Sequence, residues 1–162
     1  MTVPTYSLQG KTCVITGGNR GIGFAFAQAL IEQDCNVVIA GRNPERLEAA
    51  QRALSSRKAR ATAIRFDACD PESVHELFSA VKQTYSTVDI LVNSAGVAHL
   101  PSPVIQFSLE TWKQVVDTDL TGMFLSTRSC LPLMASGGTI VNEPSWVPSG
   151  RAAMSMRMRR SV

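Results

Sequence analysis

The amino-acid sequence predicts an α/β fold in which a parallel sheet is doubly wound, with helices on both faces. Two observations lead to this fold class. Short apolar runs alternate with segments of helical periodicity between residues 11 and 142, and that alternation is typical of right-handed βαβ units. A glycine-rich stretch at residues 16–23 also separates the first apolar run from the first helical segment, as expected of a tight turn between a strand and a helix.

The individual elements follow from the periodicity and from the residues that begin and end helices. Strands are predicted at residues 11–16, 36–40, 60–66, 89–93 and 138–142. Helices are predicted at residues 21–33, 44–56 and 71–85, followed by a long helix at residues 109–135. Asn43, Asp70 and Ser108 are the expected N-caps, and Pro132 is expected to bend or end the long helix.

Length and composition predict one globular domain. The chain has 162 residues, of which 44% are hydrophobic and 18% charged. The sequence contains no apolar run long enough to span a membrane, and its first ten residues lack a signal-peptide pattern. The default expectation is therefore a cytoplasmic protein without a membrane partner.

The four cysteines predict neither a metal site nor a disulfide framework. Cys13, Cys35, Cys69 and Cys130 are scattered, without a C-x-x-C pair or a histidine at ligand spacing. They are interpreted as reduced and mostly buried.

The formal net charge of +3 is confined to one end of the chain. Residues 1–142 are electrically balanced, whereas residues 143–162 carry four arginines and one glutamate. That segment has no lysine, and its aromatic content is limited to Trp146. Nucleic-acid binding is therefore not expected.

The glycine-rich stretch has the pattern T-G-x-x-x-G-x-G. Gly17, Gly21 and Gly23 provide positions without a Cβ, where the backbone can turn sharply and a phosphate can approach it. The N–H groups and dipole of the following helix favour an anion. Asn19 occupies the place of the second glycine in the common dinucleotide fingerprint. The alternative is a glycine-rich turn with no ligand.

Three motifs in order resemble the short-chain dehydrogenase/reductase family: the glycine-rich stretch, Asp67 after the third strand, and the Asn93-Ser94-Ala95-Gly96 segment after the fourth. The resemblance covers about residues 8–142. It implies an incomplete Rossmann-like sheet, with about five of the family's seven strands. It also implies a cofactor site in which the first motif binds pyrophosphate, Asp67 flanks adenine and Asn93 lies beside nicotinamide. The residues assigned to this site are Gly17, Asn19, Arg20, Gly21, Ile22, Gly23, Asp67, Asn93, Ala95 and Gly96.

The residue after the second strand predicts the choice of cofactor. An acidic side chain there would accept a hydrogen bond from the ribose 2′-OH of NAD, but Arg42 stands in its place. A guanidinium can pair with the 2′-phosphate of NADP, and Arg20 could reach the same group. NADP is therefore expected over NAD. The alternative is that both arginines are only solvated.

The resemblance also indicates which catalytic groups to look for. The family uses a Tyr-x-x-x-Lys pair, but the tyrosines here are Tyr6 and Tyr85, and no lysine follows Lys113. Ser145 falls where the family's catalytic serine would be, and Asp119 replaces the asparagine that holds a water in its proton relay. Arg128 is a further candidate cofactor-binding residue, because it occupies a position on the long helix that is often basic in the family, and a plain surface role is its alternative.

Residues 1–142 are thus expected to form the dinucleotide-binding domain, and residues 143–162 an aberrant, disordered basic tail that reflects truncation or an altered reading frame. By resemblance, the function is an NADP(H)-dependent oxidoreductase that reduces a small carbonyl compound or oxidises a secondary alcohol. The alternative is a catalytically inactive nucleotide-binding fragment. The family is expected to form homo-oligomers, an expectation that is doubtful for this chain. The substrate does not follow from this sequence.

Overall fold

The computed structural model describes residues 7–55, 59–97, 104–143 and 154–157. Its strands are β1 (Thr12–Thr16), β2 (Asn36–Gly41), β3 (Ala61–Arg65), β4 (Val88–Asn93), β5 (Met134–Asn142) and β6 (Met154–Arg157). Its α-helices are α1 (Gly21–Ile31), α2 (Pro44–Leu54), α3 (Pro71–Tyr85), α4 (Leu109–Val115) and α5 (Gly122–Cys130). Short 3-10 turns occur at Val104–Gln106 and Leu131–Leu133.

The strands form one sheet in the order β3-β2-β1-β4-β5-β6. The pairs among β1 to β5 are all parallel, which confirms the predicted doubly wound sheet. β1 lies at the centre, where Thr16 pairs with Ala40 on one side and with Asn93 on the other. The chain adds β2 and β3 on one side of β1 and then crosses over to add β4 and β5 on the other side. Where the strand order reverses in this way, a crevice opens at the carboxyl ends of β1 and β4.

Helices cover both faces of the sheet because the strand side chains alternate between two apolar cores. Cys13 and Ile15 belong to the core that includes Leu47 of α2. Val14 belongs to the other core, with Leu77 of α3. Successive residues of a strand point to opposite faces, so the continuous apolar runs of the inner strands require a covering layer on each side.

The helix N-caps predicted from the sequence are confirmed. The Asn43 side chain accepts a hydrogen bond from the backbone N–H of Arg46, the Asp70 side chain from Glu72, and the Ser108 side chain from Thr111. Helix α1 differs, since its N-cap residue is Arg20 and no side chain caps it.

The long helix predicted between residues 109 and 135 is interrupted by a π-helical segment, Val116–Thr121, which the prediction missed. Its α-helical part ends at Cys130. The expectation that Pro132 ends the helix is confirmed, because its ring and missing N–H are incompatible with a helix interior. Strand β5 therefore begins earlier than predicted, at Met134, and its register with β4 shifts between Val88 and Ile90.

The expectation of a disordered segment beyond residue 142 needs a correction. Met154–Arg157 forms an edge strand antiparallel to β5, and Met156 pairs with Ile140. The alternation of methionine with polar residues from Met154 onward fits the two-residue period of a strand. The division of the chain at residue 142 remains a prediction.

Three of the four cysteines are buried, as expected, and none of the four forms a disulfide. Burial raises the pKa of Cys13 well above its ordinary value, that of Cys35 to about 11 and that of Cys130 to about 12. These thiols are therefore protonated at neutral pH. Cys69 is exposed.

Among the described residues, no helix has the length and apolar character needed to cross a membrane. That part of the chain also has no group of side chains that could hold a metal ion.

Helices α4 and α5 and the π-helical segment between them leave large apolar side chains on the surface. Trp112 of α4 is 57% exposed, Leu120 of the π-helical segment 65% and Phe124 of α5 58%. Leu120 and Phe124 are four residues apart, a spacing that places side chains on one face of a helix. Exposed apolar patches of a few hundred Å² commonly mark contact surfaces.

We therefore expect the purified chain to self-associate through this surface. The double variant Leu120→Gln and Phe124→Gln should shift the sedimentation velocity profile towards the monomer. Ile22→Gln is the control, because Ile22 is 61% exposed but lies at the glycine-rich turn. An equal shift in the control, or no shift in the double variant, would contradict this expectation.

Candidate cofactor site

A cleft of about 440 Å³ lies at the carboxyl ends of β1, β2 and β4, a volume within the usual range of small-molecule sites. The sequence-predicted residues that line it are Gly17, Asn19, Arg20, Gly21, Ile22, Gly23, Arg42, Asp67, Ala95 and Gly96. Sequence analysis did not assign the other lining residues, which include Asn43, Arg46, Ser94, Thr118 and Glu143.

The glycines of the turn serve different purposes. A Cβ on Gly17 would lie 2.7 Å from the carbonyl oxygen of Ser94, and one on Gly23 would lie 2.6 Å from the carbonyl oxygen of Gly17. These two positions permit close packing of backbone segments. Gly21 has a φ of +54°, and a Cβ there would meet no atom within 4 Å. Its side faces open space in the cleft, so a ligand can approach the backbone there.

The start of α1 is suited to bind an anion. Its first-turn N–H groups have no side-chain cap, whereas the corresponding groups of α2, α3 and α4 have one. Free N–H groups and the positive end of the helix dipole together favour phosphate. The residues of this turn, Gly21, Ile22 and Gly23, all line the cleft.

Thr16 joins the glycine-rich turn to the segment after β4. Its side chain is buried, and Oγ1 accepts hydrogen bonds of 3.2 Å from the backbone N–H groups of Ser94 and Ala95. The Thr16 carbonyl oxygen accepts a further bond from Ser94. The two sides of the cleft are thereby held at a fixed separation. Sequence analysis quoted Thr16 as part of the motif but gave it no role.

Asn93 links the sheet to α5. It is 3% exposed, and its Nδ2 donates to Thr127 Oγ1 at 3.1 Å and to Asn142 Oδ1 at 2.9 Å. Its Oδ1 is buried and accepts no hydrogen bond from a described residue. Asn93 lies beneath the cleft rather than on its wall, since it is not among the lining residues described.

One end of the cleft is basic. Arg20, Arg42 and Arg46 line it, all three are exposed, and none forms an ion pair with a described residue. Sequence analysis did not assign Arg46 to the site. Arg46 lies in the first turn of α2 and lines the same basic end as Arg42.

Asp67 lies at the rim beyond β3. Its Oδ1 accepts a hydrogen bond from the backbone N–H of Cys69 at 3.0 Å, and its own N–H donates to Ser73 Oγ at 3.0 Å. This arrangement fixes the carboxylate and leaves its second oxygen available to a ligand donor.

The π-helical segment contacts two parts of the cleft. Asp119 Oδ1 accepts a hydrogen bond from the backbone N–H of Val97 at 3.0 Å, which holds the segment that follows Gly96. Thr118 Oγ1 lies 3.2 Å from the sulfur of Cys69, near Asp67. The Asp119 carboxylate thus contacts the backbone in this structure.

Glu143 was not predicted as a site residue. It directly follows β5, its carboxylate accepts a hydrogen bond from Ser94 Oγ, and it lines the cleft. Its position beside Ser145 in the sequence could have drawn attention to it, but the contact with Ser94 depends on β4 and β5 being neighbours.

Two other candidates do not join this group. Arg128 lies on the exposed face of α5, with its guanidinium 6.0 Å from the centroid of the Phe124 ring, and it does not line the cleft as described. The plain surface interpretation therefore fits Arg128 better. Ser145 lies outside the described residues.

Tyr85 is hydrogen-bonded to Thr62, and no tyrosine or lysine is among the described lining residues.

Comparison with known proteins identifies the family. Residues 11–155 match the model of the short chain dehydrogenase family. The chain belongs to this family. Members of the short-chain dehydrogenase family bind nicotinamide nucleotides, NAD or NADP.

Curated relatives agree with this assignment. The chain is 36% identical over 149 residues to the short chain dehydrogenase/reductase dpmpG of Macrophomina phaseolina, with 89% of this chain and 85% of the relative covered. It is also 36% identical over 137 residues to an uncharacterized oxidoreductase of Thermotoga maritima, with 83% and 53% covered. An uncharacterized oxidoreductase of Bacillus subtilis, YxbG, is 34% identical, with 90% and 53% covered.

Solved structures share the fold. A short-chain type dehydrogenase/reductase from Mycobacterium ulcerans superposes with a TM-score of 0.79 at 26% identity, covering 83% of this chain and 51% of that one. A dehydrogenase/reductase from Sinorhizobium meliloti gives a TM-score of 0.78 at 33% identity, with 83% and 53% covered. The chain thus spans about half the length of both structures and of the Thermotoga and Bacillus relatives.

The Thr16 contacts lead to a stability prediction. Thr16→Val keeps the side-chain shape but removes Oγ1, so the Ala95 N–H loses its acceptor and the Ser94 N–H keeps only the Thr16 carbonyl oxygen. We expect the free energy of unfolding to fall by about 1–3 kcal/mol, as measured by urea denaturation. Thr12→Val is the control on the same strand, because the Thr12 hydroxyl makes no hydrogen bond with a described residue. Equal losses in the two variants would show that the Thr16 hydroxyl has no special role.

Proposed function

We propose that this chain binds NADP(H) and supplies the cofactor-binding part of an oxidoreductase. Its substrate would be a small carbonyl compound or a secondary alcohol. The observation that carries the proposal is the combination, in one cleft, of the uncapped α1 N-terminus and the basic end formed by Arg20, Arg42 and Arg46. A helix N-terminus binds pyrophosphate, and unpaired guanidinium groups bind a further phosphate.

The preference for NADP over NAD rests on the residues that follow β2. Arg42 comes directly after β2, and the nearest acidic residue, Glu45, is not among the described lining residues. A ribose 2′-phosphate beside Arg42 would meet guanidinium donors, and the carboxylate on this side of the cleft, Asp67, follows β3 rather than β2. The free ribose 2′-OH of NAD would find no acidic acceptor among the α2 residues described as lining the cleft.

The part of the chain that the structure describes would perform the binding steps. The α1 N-terminus would hold the pyrophosphate, Asp67 would accept a hydrogen bond from the adenine amino group, and Asn93 would support the floor beside the nicotinamide. The bound cofactor would supply or accept the hydride. The accompanying proton needs a donor, and the sequence offers no Tyr-x-x-x-Lys pair for that role. We therefore propose that this chain, by itself, binds cofactor without turning over substrate.

The choice of cofactor can be tested by titration of NADPH and NADH, followed by nucleotide fluorescence. Arg42→Ala should weaken NADPH binding about ten- to hundredfold, because a charge-assisted hydrogen bond contributes about 1.5–3 kcal/mol. NADH binding should change much less. Arg52→Ala is the matched control, since Arg52 is an exposed arginine of α2 outside the described cleft lining. Unchanged discrimination in Arg42→Ala would remove Arg42 from the proposal.

The catalytic alternative can be tested by following NADPH absorbance with a panel of aldehydes and ketones. We expect no consumption above the rate without protein, because a positioned proton donor contributes about 10² to 10⁴ in rate and this chain lacks the family's pair. Turnover that persists in the double variant Asp119→Ala and Ser145→Ala would show chemistry independent of both candidate residues. Turnover lost in that variant would instead assign them an active role.

A further inference from the structure

Glu143 places a carboxylate at the end of the cleft opposite the arginines. Its backbone N–H donates to the carbonyl oxygen of Asn93 at 2.9 Å, which continues the β4–β5 pairing by one residue. Its side chain accepts a hydrogen bond from Ser94 Oγ and is half-buried. The backbone contact therefore fixes the position of residue 143 beside β4, and the Ser94 contact holds its carboxylate there. The cleft lining contains one other acidic side chain among the described residues, Asp67.

The strand order determines which part of a dinucleotide meets each carboxylate. Strands β2 and β3, which lead to Arg42 and Asp67, lie on one side of β1, and β4 and β5 lie on the other. A dinucleotide binds across the crevice at this switch point, with its pyrophosphate at the first helix and its adenosine near the end of β2. Its nicotinamide half must then extend over β4 and β5, where Glu143 lies.

We propose that Glu143 makes the site discriminate between the oxidised and reduced forms of the cofactor, in favour of the oxidised form. This inference rests on the proposed binding of NADP(H). The oxidised nicotinamide ring is a pyridinium with a formal positive charge, whereas the reduced dihydronicotinamide ring is neutral. A fixed carboxylate beside the ring attracts only the charged form.

The ratio of the two affinities isolates this effect. Glu143 also repels the cofactor phosphates, but both oxidation states carry the same phosphates, so that repulsion cancels in the ratio. A single charge pair in a partly buried cleft corresponds to about a tenfold change in relative affinity. For a two-electron couple, a tenfold preference for the oxidised form lowers the midpoint potential by about 30 mV.

The test is calorimetric titration of the full chain with NADP⁺ and with NADPH, with no substrate present. Glu143→Gln keeps the size of the side chain and removes its charge, and it should shift the affinity ratio about tenfold towards NADPH. Glu143→Ala should shift the ratio in the same direction and provides a second measurement if the glutamine variant folds poorly. Asp67→Asn is the matched control, because it removes one negative charge from the opposite end of the same cleft. It should weaken both nucleotides equally and leave their ratio unchanged.

The outcomes separate this inference from the proposed function. A shifted ratio in the Glu143 variants, with an unchanged ratio in Asp67→Asn, supports the role of Glu143. Binding of both nucleotides with an unchanged ratio in the Glu143 variants overturns that role and leaves the proposed function standing. If Asp67→Asn shifts the affinity ratio as much as the Glu143 variants do, the role of Glu143 is also overturned, because a general effect of charge in the cleft would then explain the shift. Failure of the unmodified chain to bind either nucleotide overturns the proposed function, and this inference with it.

Discussion

The close approach of two backbone segments governs the architecture of this protein. The turn after β1 and the segment after β4 come so near that a Cβ on Gly17 would lie 2.7 Å from the Ser94 carbonyl oxygen. The buried Thr16 hydroxyl accepts hydrogen bonds from the backbone N–H groups of Ser94 and Ala95, in the segment after β4. This junction fixes where α1 begins, and therefore where its uncapped N–H groups point. It also fixes Ser94, which holds Glu143.

The features that sequence could predict are those encoded locally. Each inner strand is an apolar run because both faces of the sheet are covered, and the caps at Asn43, Asp70 and Ser108 use side chains that bond within their own helix turn. The glycine pattern likewise reflects a local turn. These signals depend on residues only a few positions apart, so they can be recognised without knowledge of the tertiary structure.

The features that sequence could not predict depend on contacts between distant segments. The π-helical segment Val116–Thr121 differs from an α-helix in that its hydrogen bonds join residues five rather than four positions apart, a difference that apolar spacing over so short a segment does not resolve. The Ser94–Glu143 contact requires that β4 and β5 be neighbours. Arg46 lines the cleft at the end of β2, whereas its sequence context is only a charged helix face.

The central position of β1 has a consequence for how the protein is made. The Thr16 hydroxyl bonds residues 78 and 79 positions further along the chain, so the glycine-rich turn acquires its support only after β4 has been synthesised. Contacts between distant residues form slowly, because the intervening loop must first be closed. A nascent chain that ends before β4 would carry the complete glycine motif yet lack the wall against which it packs. During translation, the two sides of the cleft would therefore come together only once β4 is present.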